Sequence, residues 1–225
     1  MPPNGPSEAG AQSGPYVILP ASGVAEDAAR LDAILAVLVP ASLLFDLGGN
    51  AAKDVAILAA LVATAQRKGA AALVSDDADL ARIVKADGVH LRASDDIAAR
   101  YKAARESLGQ RFIVGADAGR SRHDAMQLGE EGADYVAFGI PAHVGDRETA
   151  RERREDLVGW WSEIFEVPCV AFDVDMAGDA RALADAGADF IAIRLPADAT
   201  PADVTAILRP YLSVFGPAAI SQTGV

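Results

Sequence analysis

The chain holds one cysteine, Cys169, in 225 residues. That excludes a disulfide framework and a cysteine-rich zinc site. Positive charge is scarce as well: 20 Lys and Arg stand against 32 Asp and Glu, a formal net charge of −12, and no basic tract interrupts the excess. A nucleic acid or an anionic membrane would meet a repulsive field. Long apolar runs are missing. The most apolar stretch, Ala33 to Phe45, is broken by Pro40 and Ser42 and falls short of the roughly 18 residues that a membrane span needs. The start of the chain lacks the cationic opening and apolar run of a secretory signal. The expectation is a soluble, cytoplasmic protein with no nucleic-acid and no membrane partner. No Gly-x-Gly-x-x-Gly opens a helix, and neither a Walker-type loop nor a Gly-x-Ser-x-Gly elbow occurs. Chemistry by a nucleotide cradle or a serine nucleophile therefore has no support.

What is present is a regular alternation. Residues 1–15 carry four prolines and three glycines and almost nothing apolar, which reads as a disordered tail. From Tyr16 onward, short β-rich runs alternate with alanine-rich helical stretches. The strand candidates are Tyr16–Leu19, Ser42–Leu47, Ala71–Ser75, Gly88–Leu91, Arg111–Ala116, Asp134–Ile140, Cys169–Val174 and Phe190–Leu195. Strands separated by helices imply parallel βαβ units. Asn50 is the expected cap of a helix running to about Lys68. Helices at Ser121–Glu131 and Asp179–Ala186 run up to Gly132 and Gly187, matching the preference for glycine just past a helix.

An internal echo supports the period. KADGVHL, EGADYVAFG and AGADFIAIR share an Ala-Asp pair leading into a strand, with the alanines at 86, 133 and 188. Two units per step give about 25 residues each, the size of a βα unit in a closed barrel. The predicted fold is a single-domain (β/α)8 TIM barrel over 16–215, with a C-terminal tail at 216–225.

In such a barrel, chemistry sits where strands run out into the following loops. Those positions carry Asp46, Asp76, Asp77, Asp95, Asp117, Asp173 and Asp175, and His90, His123 and His143 lie at or just beyond strand ends. Converging carboxylates suit a hard cation such as Mg²⁺. Asp76 and Asp95 also precede helical runs, where a carboxylate can simply cap the N-terminus. His90 reads equally as a packed, hydrogen-bonded histidine. The run Asp146–Asp156 mixes signs at helical spacing and reads as a solvated helix face. Trp160 and Trp161 read as packing or subunit-contact residues, which keeps a homo-oligomer open, and Cys169 as an inert buried thiol.

The block AALVSDDADLARIVKADGVHLRASD (Ala71–Asp95), followed by EGADYVAFG and AGADFIAI, resembles the thiamine phosphate synthase family of (β/α)8 barrels. The arrangement extends from about Tyr16 to Leu195. The resemblance implies a transferase that joins a hydroxymethylpyrimidine diphosphate to a thiazole phosphate and releases pyrophosphate, with Mg²⁺ assisting. It implies that Asp76 and Asp95 are the metal carboxylates, and that Ser75 and Arg147 take the places of substrate-binding residues. The substrate is then a small phosphorylated molecule. Several phosphate grips of the family are replaced here. Asp77 stands for an arginine, FDLGGN (Phe45–Asn50) for a basic second-strand motif, Gly115-Ala116-Asp117 for Gly-x-Ser, and FDVD (Phe172–Asp175) for a Gly-Gly close approach. Two alternatives stay open: a different metal-dependent enzyme for a less anionic substrate, and a non-catalytic binding or regulatory barrel.

Overall fold

A computed structural model describes residues 13–141 and 143–215. Eight parallel strands close in sequence order into a barrel: β1 (Gly14–Pro20), β2 (Ser42–Asp46), β3 (Ala71–Ser75), β4 (Gly88–Leu91), β5 (Ile113–Asp117), β6 (Tyr135–Phe138), β7 (Cys169–Ala171) and β8 (Phe190–Arg194). Each strand is followed by a helix: α1 (Ala25–Val37), α2 (Val55–Arg67), α3 (Ala78–Ile83), α4 (Ile97–Leu108), α5 (Arg122–Glu130), α6 (Arg147–Ile164), α7 (Ala177–Asp185) and α8 (Pro201–Leu208). This is the single-domain TIM barrel that the alternation predicts. Among the described residues, no helix is long and apolar enough to cross a membrane.

The predicted tails fall mostly outside the described residues, which begin at Ser13 and end at Phe215. One boundary moves: β1 starts at Gly14, and its amide donates to Asp189 O at 2.7 Å. Gly14 and Pro15 therefore belong to the barrel, pairing with Phe190 and Ile191 of β8. The cap of α2 also moves. Asp54, not Asn50, accepts the amides of Ala56 and Ile57, because Asn50 is used in the preceding turn, donating to Leu47 O at 3.1 Å.

Strand periodicity sorts the core into two layers. Val17, Leu19, Leu43, Phe45, Ala72, Val74 and Val89 face the helices and join one large apolar cluster. Tyr16, Ile18, Leu44, Leu73, Tyr135, Ala137, Val170, Phe172 and Ala192 form a second cluster, which fills the barrel interior as alternate strand residues do. Gly115 makes room at its centre. A Cβ there would collide with the Tyr135 ring, which crosses the interior so that its hydroxyl meets Tyr16 Oη at 3.0 Å and His90 Nδ1 at 2.8 Å.

α6 corrects one expectation. Its mixed-sign run is not wholly a solvated face, because Arg154 is fully buried. Arg154 donates to Phe172 O at 2.6 Å and Asp173 O at 2.8 Å, and its Nη2 meets both oxygens of Asp179, at 2.5 and 2.7 Å. It thereby ties α6 to the segment leaving β7. Trp161 is buried with its indole N–H on Val167 O at 2.7 Å, and the Arg122 guanidinium lies 4.6 Å from the centre of the Trp160 ring. Both tryptophans serve packing within the chain. Cys169 is buried in β7, where burial pushes its thiol up to about 12.

Removing one partner of a buried ion pair leaves the other charge unanswered and costs about 3–5 kcal/mol. Arg154→Met should lose that much in urea unfolding, and Arg154→Met/Asp179→Leu should recover a substantial part of it. Equal loss in the single and double variants would show that the carbonyl contacts, not the ion pair, dominate.

Candidate active site

The inward parity that packs the barrel interior continues to the strand ends. Asp46 lies two residues beyond Leu44, Ser75 two beyond Leu73, Asp117 two beyond Gly115 and Arg194 two beyond Ala192. All four therefore face the C-terminal mouth. There a cavity of about 240 Å³ is lined by Asp46, His90, Arg92, Asp117, Asp173 and Arg194, with Leu44 and Phe172 among its apolar walls.

The carboxylates of this rim are largely answered by guanidinium groups. Asp46 takes Arg194 Nη1 at 2.6 Å and the Gly48 amide at 3.0 Å. Burial alone would raise its pKa, but these bonds and the Ser75 hydroxyl outweigh burial and hold it below the usual carboxylate range. Ser75 also accepts the Leu47 amide at 3.1 Å, so it braces the β2 exit and stands among protein partners. Asp175 pairs with Arg147 at 3.2 Å and Arg151 at 2.9 Å. Arg147 is thus present at the rim, half-exposed and engaged by a carboxylate.

Asp76 is held most tightly. Its backbone lies in the left-handed region, φ 59°. Its carboxylate accepts the Arg92 amide at 2.9 Å, Arg92 Nε, and Arg100 Nη2 at 2.6 Å. Burial would raise the pKa, but these donors outweigh it and lower it. Capping of α3 falls to the neighbouring residue, since Asp77 accepts the Leu80 amide at 2.8 Å. Asp95 is exposed, and Asp96 occupies the N-cap position of α4. Asp95 lines a separate recess with His123 and Lys102, whereas Asp76 lines the groove beside Asn50 and Arg100. Asp76 and Asp95 thus line different recesses. Among the described residues, no group of three His, Cys, Asp or Glu side chains is placed to hold a metal. With both oxygens of Asp76 already bound by arginine, this donor set does not fit a magnesium ion.

Asp117 and Asp173 differ from Asp46, the third carboxylate lining the mouth cavity, because no arginine among the described residues reaches either carboxylate. Both approach Gly139, where an added Cβ would lie 2.7 Å from Asp173 Oδ2 and 3.5 Å from Asp117 Oδ2. Glycine at this position is what lets the two side chains converge. Asp173 adopts φ 56° just past the end of β7, and its Oδ2 accepts the Ile140 amide at 2.8 Å. Asp117 accepts the Gly119 amide at 2.7 Å. Burial pushes the Asp117 carboxyl up to about 7; the Gly119 amide pulls the other way, and the Asp173 charge adds to the rise.

His90 forms the floor between them. Its ring stacks on Phe172 with centroids 4.7 Å apart, and burial lowers its pKa to about 4. It stays neutral at physiological pH. Nδ1 is committed to Tyr135, and the buried Nε2 has no partner among the described residues. Position alone could have flagged Arg194 as the last residue of an inward-facing strand. Nothing local in the sequence announces that Arg92 and Arg100 would share Asp76.

A closed parallel barrel with charged strand ends around one mouth cavity defines a (β/α)8 protein with its candidate site at the C-terminal mouth. The comparisons narrow the class. The model of the thiamine monophosphate synthase family matches residues 16–195, and the chain belongs to that family. It is 43% identical over 123 residues to the thiamine-phosphate synthase of Erythrobacter litoralis, which covers 54% of this chain and 56% of that one. With the thiamine-phosphate synthase of Hyphomonas neptunium it shares 44% identity over 135 residues, 60% of each chain. Both matches span less than two thirds of the relatives' own length. In three dimensions it superposes on the thiamine phosphate pyrophosphorylase of Pyrococcus furiosus with a TM-score of 0.67 at 22% identity, covering 89% of this chain and 96% of the other.

Two predictions follow from the electrostatics. Asp76→Asn should cost about 1.5–3 kcal/mol in urea unfolding because it weakens bonds to two guanidiniums, whereas Asp95→Asn should stay within about 0.5 kcal/mol. The second concerns pH. Folded Asp117, near 7, retains a proton that the unfolded chain, near 3.8, has released. Its contribution therefore falls as pH rises from about 4 to about 7. Asp117→Asn should match wild type near pH 4 and exceed it by about 1–3 kcal/mol near pH 8. The opposite slope expected from His90 is common to both proteins and cancels in the difference. A constant difference across that range would place the titration elsewhere.

Proposed function

We propose that this barrel joins a hydroxymethylpyrimidine diphosphate to a thiazole phosphate and releases pyrophosphate. The observation that carries the reading is the pair of guanidiniums, Arg92 and Arg194, lining one mouth cavity. Each binds a carboxylate through part of its donor fork and has further N–H groups without a protein acceptor among the described residues. Such donors suit phosphate oxygens, where charge-assisted bonds are strong.

In the reaction, the bond between the pyrimidine methylene carbon and the diphosphate oxygen breaks, and its electron pair leaves with the pyrophosphate. The thiazole nitrogen then donates its lone pair to the carbon. Arg92 and Arg194 would take up charge growing on the leaving group, which is where fixed donors lower a barrier. Asp117 and Asp173 would face the opposite charge developing on the pyrimidine. Arg147 would serve the second phosphate by exchanging Asp175 for it, and Ser75 holds the β2 exit in register with Asp46. No step is assigned to a metal, because Asp76 is already engaged.

A second reading is a family member that has moved to a less anionic ligand. The Asp117 and Asp173 carboxylates favour it, since they stand at two strand ends where the resemblance implies phosphate grips. Two unit charges about 4 Å apart at an effective dielectric near 20 interact by about 4 kcal/mol. Incubating the full chain with both substrates, with and without Mg²⁺, and measuring thiamine phosphate separates the readings. Product should form, and Arg194→Gln should lower kcat/KM by about 10–100-fold. No product in either condition would discard the first reading in favour of the second.

A further inference from the structure

At the junction of β3, β4 and α4, two arginines surround one aspartate, and the three residues carry one net positive charge. Arg100 is engaged at both terminal nitrogens. It donates to Arg92 O at 2.9 Å, Ser94 Oγ at 3.0 Å and Asp76 Oδ1 at 2.6 Å. Arg92 is not: its amide and Nε go to Asp76, while neither terminal nitrogen has a protein acceptor among the described residues. The Arg92 side chain is 42% exposed. Nη2 lies beside Gly49, where an added Cβ would be 3.3 Å away, and Gly49 has φ 82°. A side chain there would be strained and would crowd the guanidinium.

The arrangement is built rather than incidental. Asp76 is kept in a left-handed conformation, which costs a non-glycine residue free energy and persists only when its surroundings hold it. Here three donors and the bond from its own amide to His90 O, 2.9 Å, hold it. Two elements thereby fix the plane of Arg92 at the edge of the mouth. A guanidinium fixed in this way binds an anion without first losing rotamer freedom.

We propose that the Arg92–Asp76–Arg100 triad is a metal-independent diphosphate site, with Arg92 touching the phosphate oxygens that a bound cation would otherwise neutralise. Arg100 acts as a positioning residue and as the second positive charge. This rests on the diphosphate-transfer reading above, and it converts the misfit of Asp76 to magnesium into a statement about ligand binding: the cation is part of the chain. A site of this kind takes terminal phosphate or diphosphate groups through a planar fork, and its affinity falls with ionic strength.

The test is calorimetry with inorganic pyrophosphate on the full chain, in EDTA and in millimolar MgCl2. The expected result is binding in EDTA with a Kd within about twofold of that in magnesium. Arg92→Met should weaken binding in EDTA at least tenfold, about 1.4 kcal/mol. Arg92→Lys, which keeps the charge but not the fork, should recover only part of the loss. Arg100→Met should weaken binding less than Arg92→Met. Should Arg92→Met fail to fold, the Arg92→Lys variant and the salt dependence of the wild type carry the comparison. Tenfold or greater strengthening by magnesium would overturn the proposal, as would wild-type affinity in the Arg92 variants or no binding in either buffer. The two readings fail separately. Product formation with pyrophosphate binding only in magnesium removes the metal-independent site and keeps the transferase. Binding in EDTA without product keeps the site and removes the transferase.

Discussion

Carboxylate neutralisation at the strand ends is the interaction on which this mouth depends. Closing eight strands brings inward-facing terminal residues into one space of about 240 Å³. Several of these residues and their neighbours are aspartates in a chain of net charge −12. At an effective dielectric near 20, an unanswered like-charge pair about 4 Å apart costs about 4 kcal/mol, a large part of the 5–15 kcal/mol or so that a typical domain has to spare. The rim meets this in two ways. Arg194 answers Asp46, Arg92 and Arg100 answer Asp76, and Arg147 and Arg151 answer Asp175. Where no arginine reaches, at Asp117, burial keeps a proton on the carboxyl up to about neutral pH.

These two solutions have different chemical consequences. An arginine shared with a carboxylate still presents unused N–H groups in a fixed plane, so pairing orders a donor without consuming it. A carboxyl protonated near neutrality is a hydrogen-bond donor in one state and a charge in the other. The mouth therefore presents guanidinium donors, at Arg92 and Arg194, and a group of variable charge, at Asp117. A substrate with a phosphorylated arm and an electron-poor ring would span both, as the proposed transfer requires.

Much of the fold was legible in the sequence because it rests on local rules. The bounds of Ala71–Ser75 and Gly88–Leu91 are observed as read, since apolar β-rich runs bounded by turn residues leave little choice. The predicted ends of the strand runs at 134–140 and 169–174 overshoot. Their last residues are apolar or aspartate like the strand itself, but they turn away to form the mouth. Asp173 is the clearest case. Its identity was visible, while its left-handed backbone follows from the Ile140 amide and the packing around Gly139. The α2 cap was misplaced for a similar reason, because Asn50 and Asp54 offer the same chemistry and only the turn geometry selects between them.

The site was legible by position and illegible by partnership. Parity alone places Asp46, Ser75, Asp117 and Arg194 at the mouth. Pairing, in contrast, is a long-range property: Arg194 and Asp46 are 148 residues apart, and Arg100 and Asp76 are 24 apart. A reading by resemblance assigns Asp76 a cation, and the structure supplies one, but from α4 and the β4 exit instead of from solution. The requirement on Asp76 is the same in both cases: a half-buried carboxylate must meet positive charge. What changes is where that charge resides before the ligand arrives. A free ion can come and go with the diphosphate, while a guanidinium on the chain is present throughout. On the proposed reading, that permanence orders Arg92 in advance and would remove the metal concentration from the binding equilibrium. It would also confine the site to anions whose shape matches a planar fork.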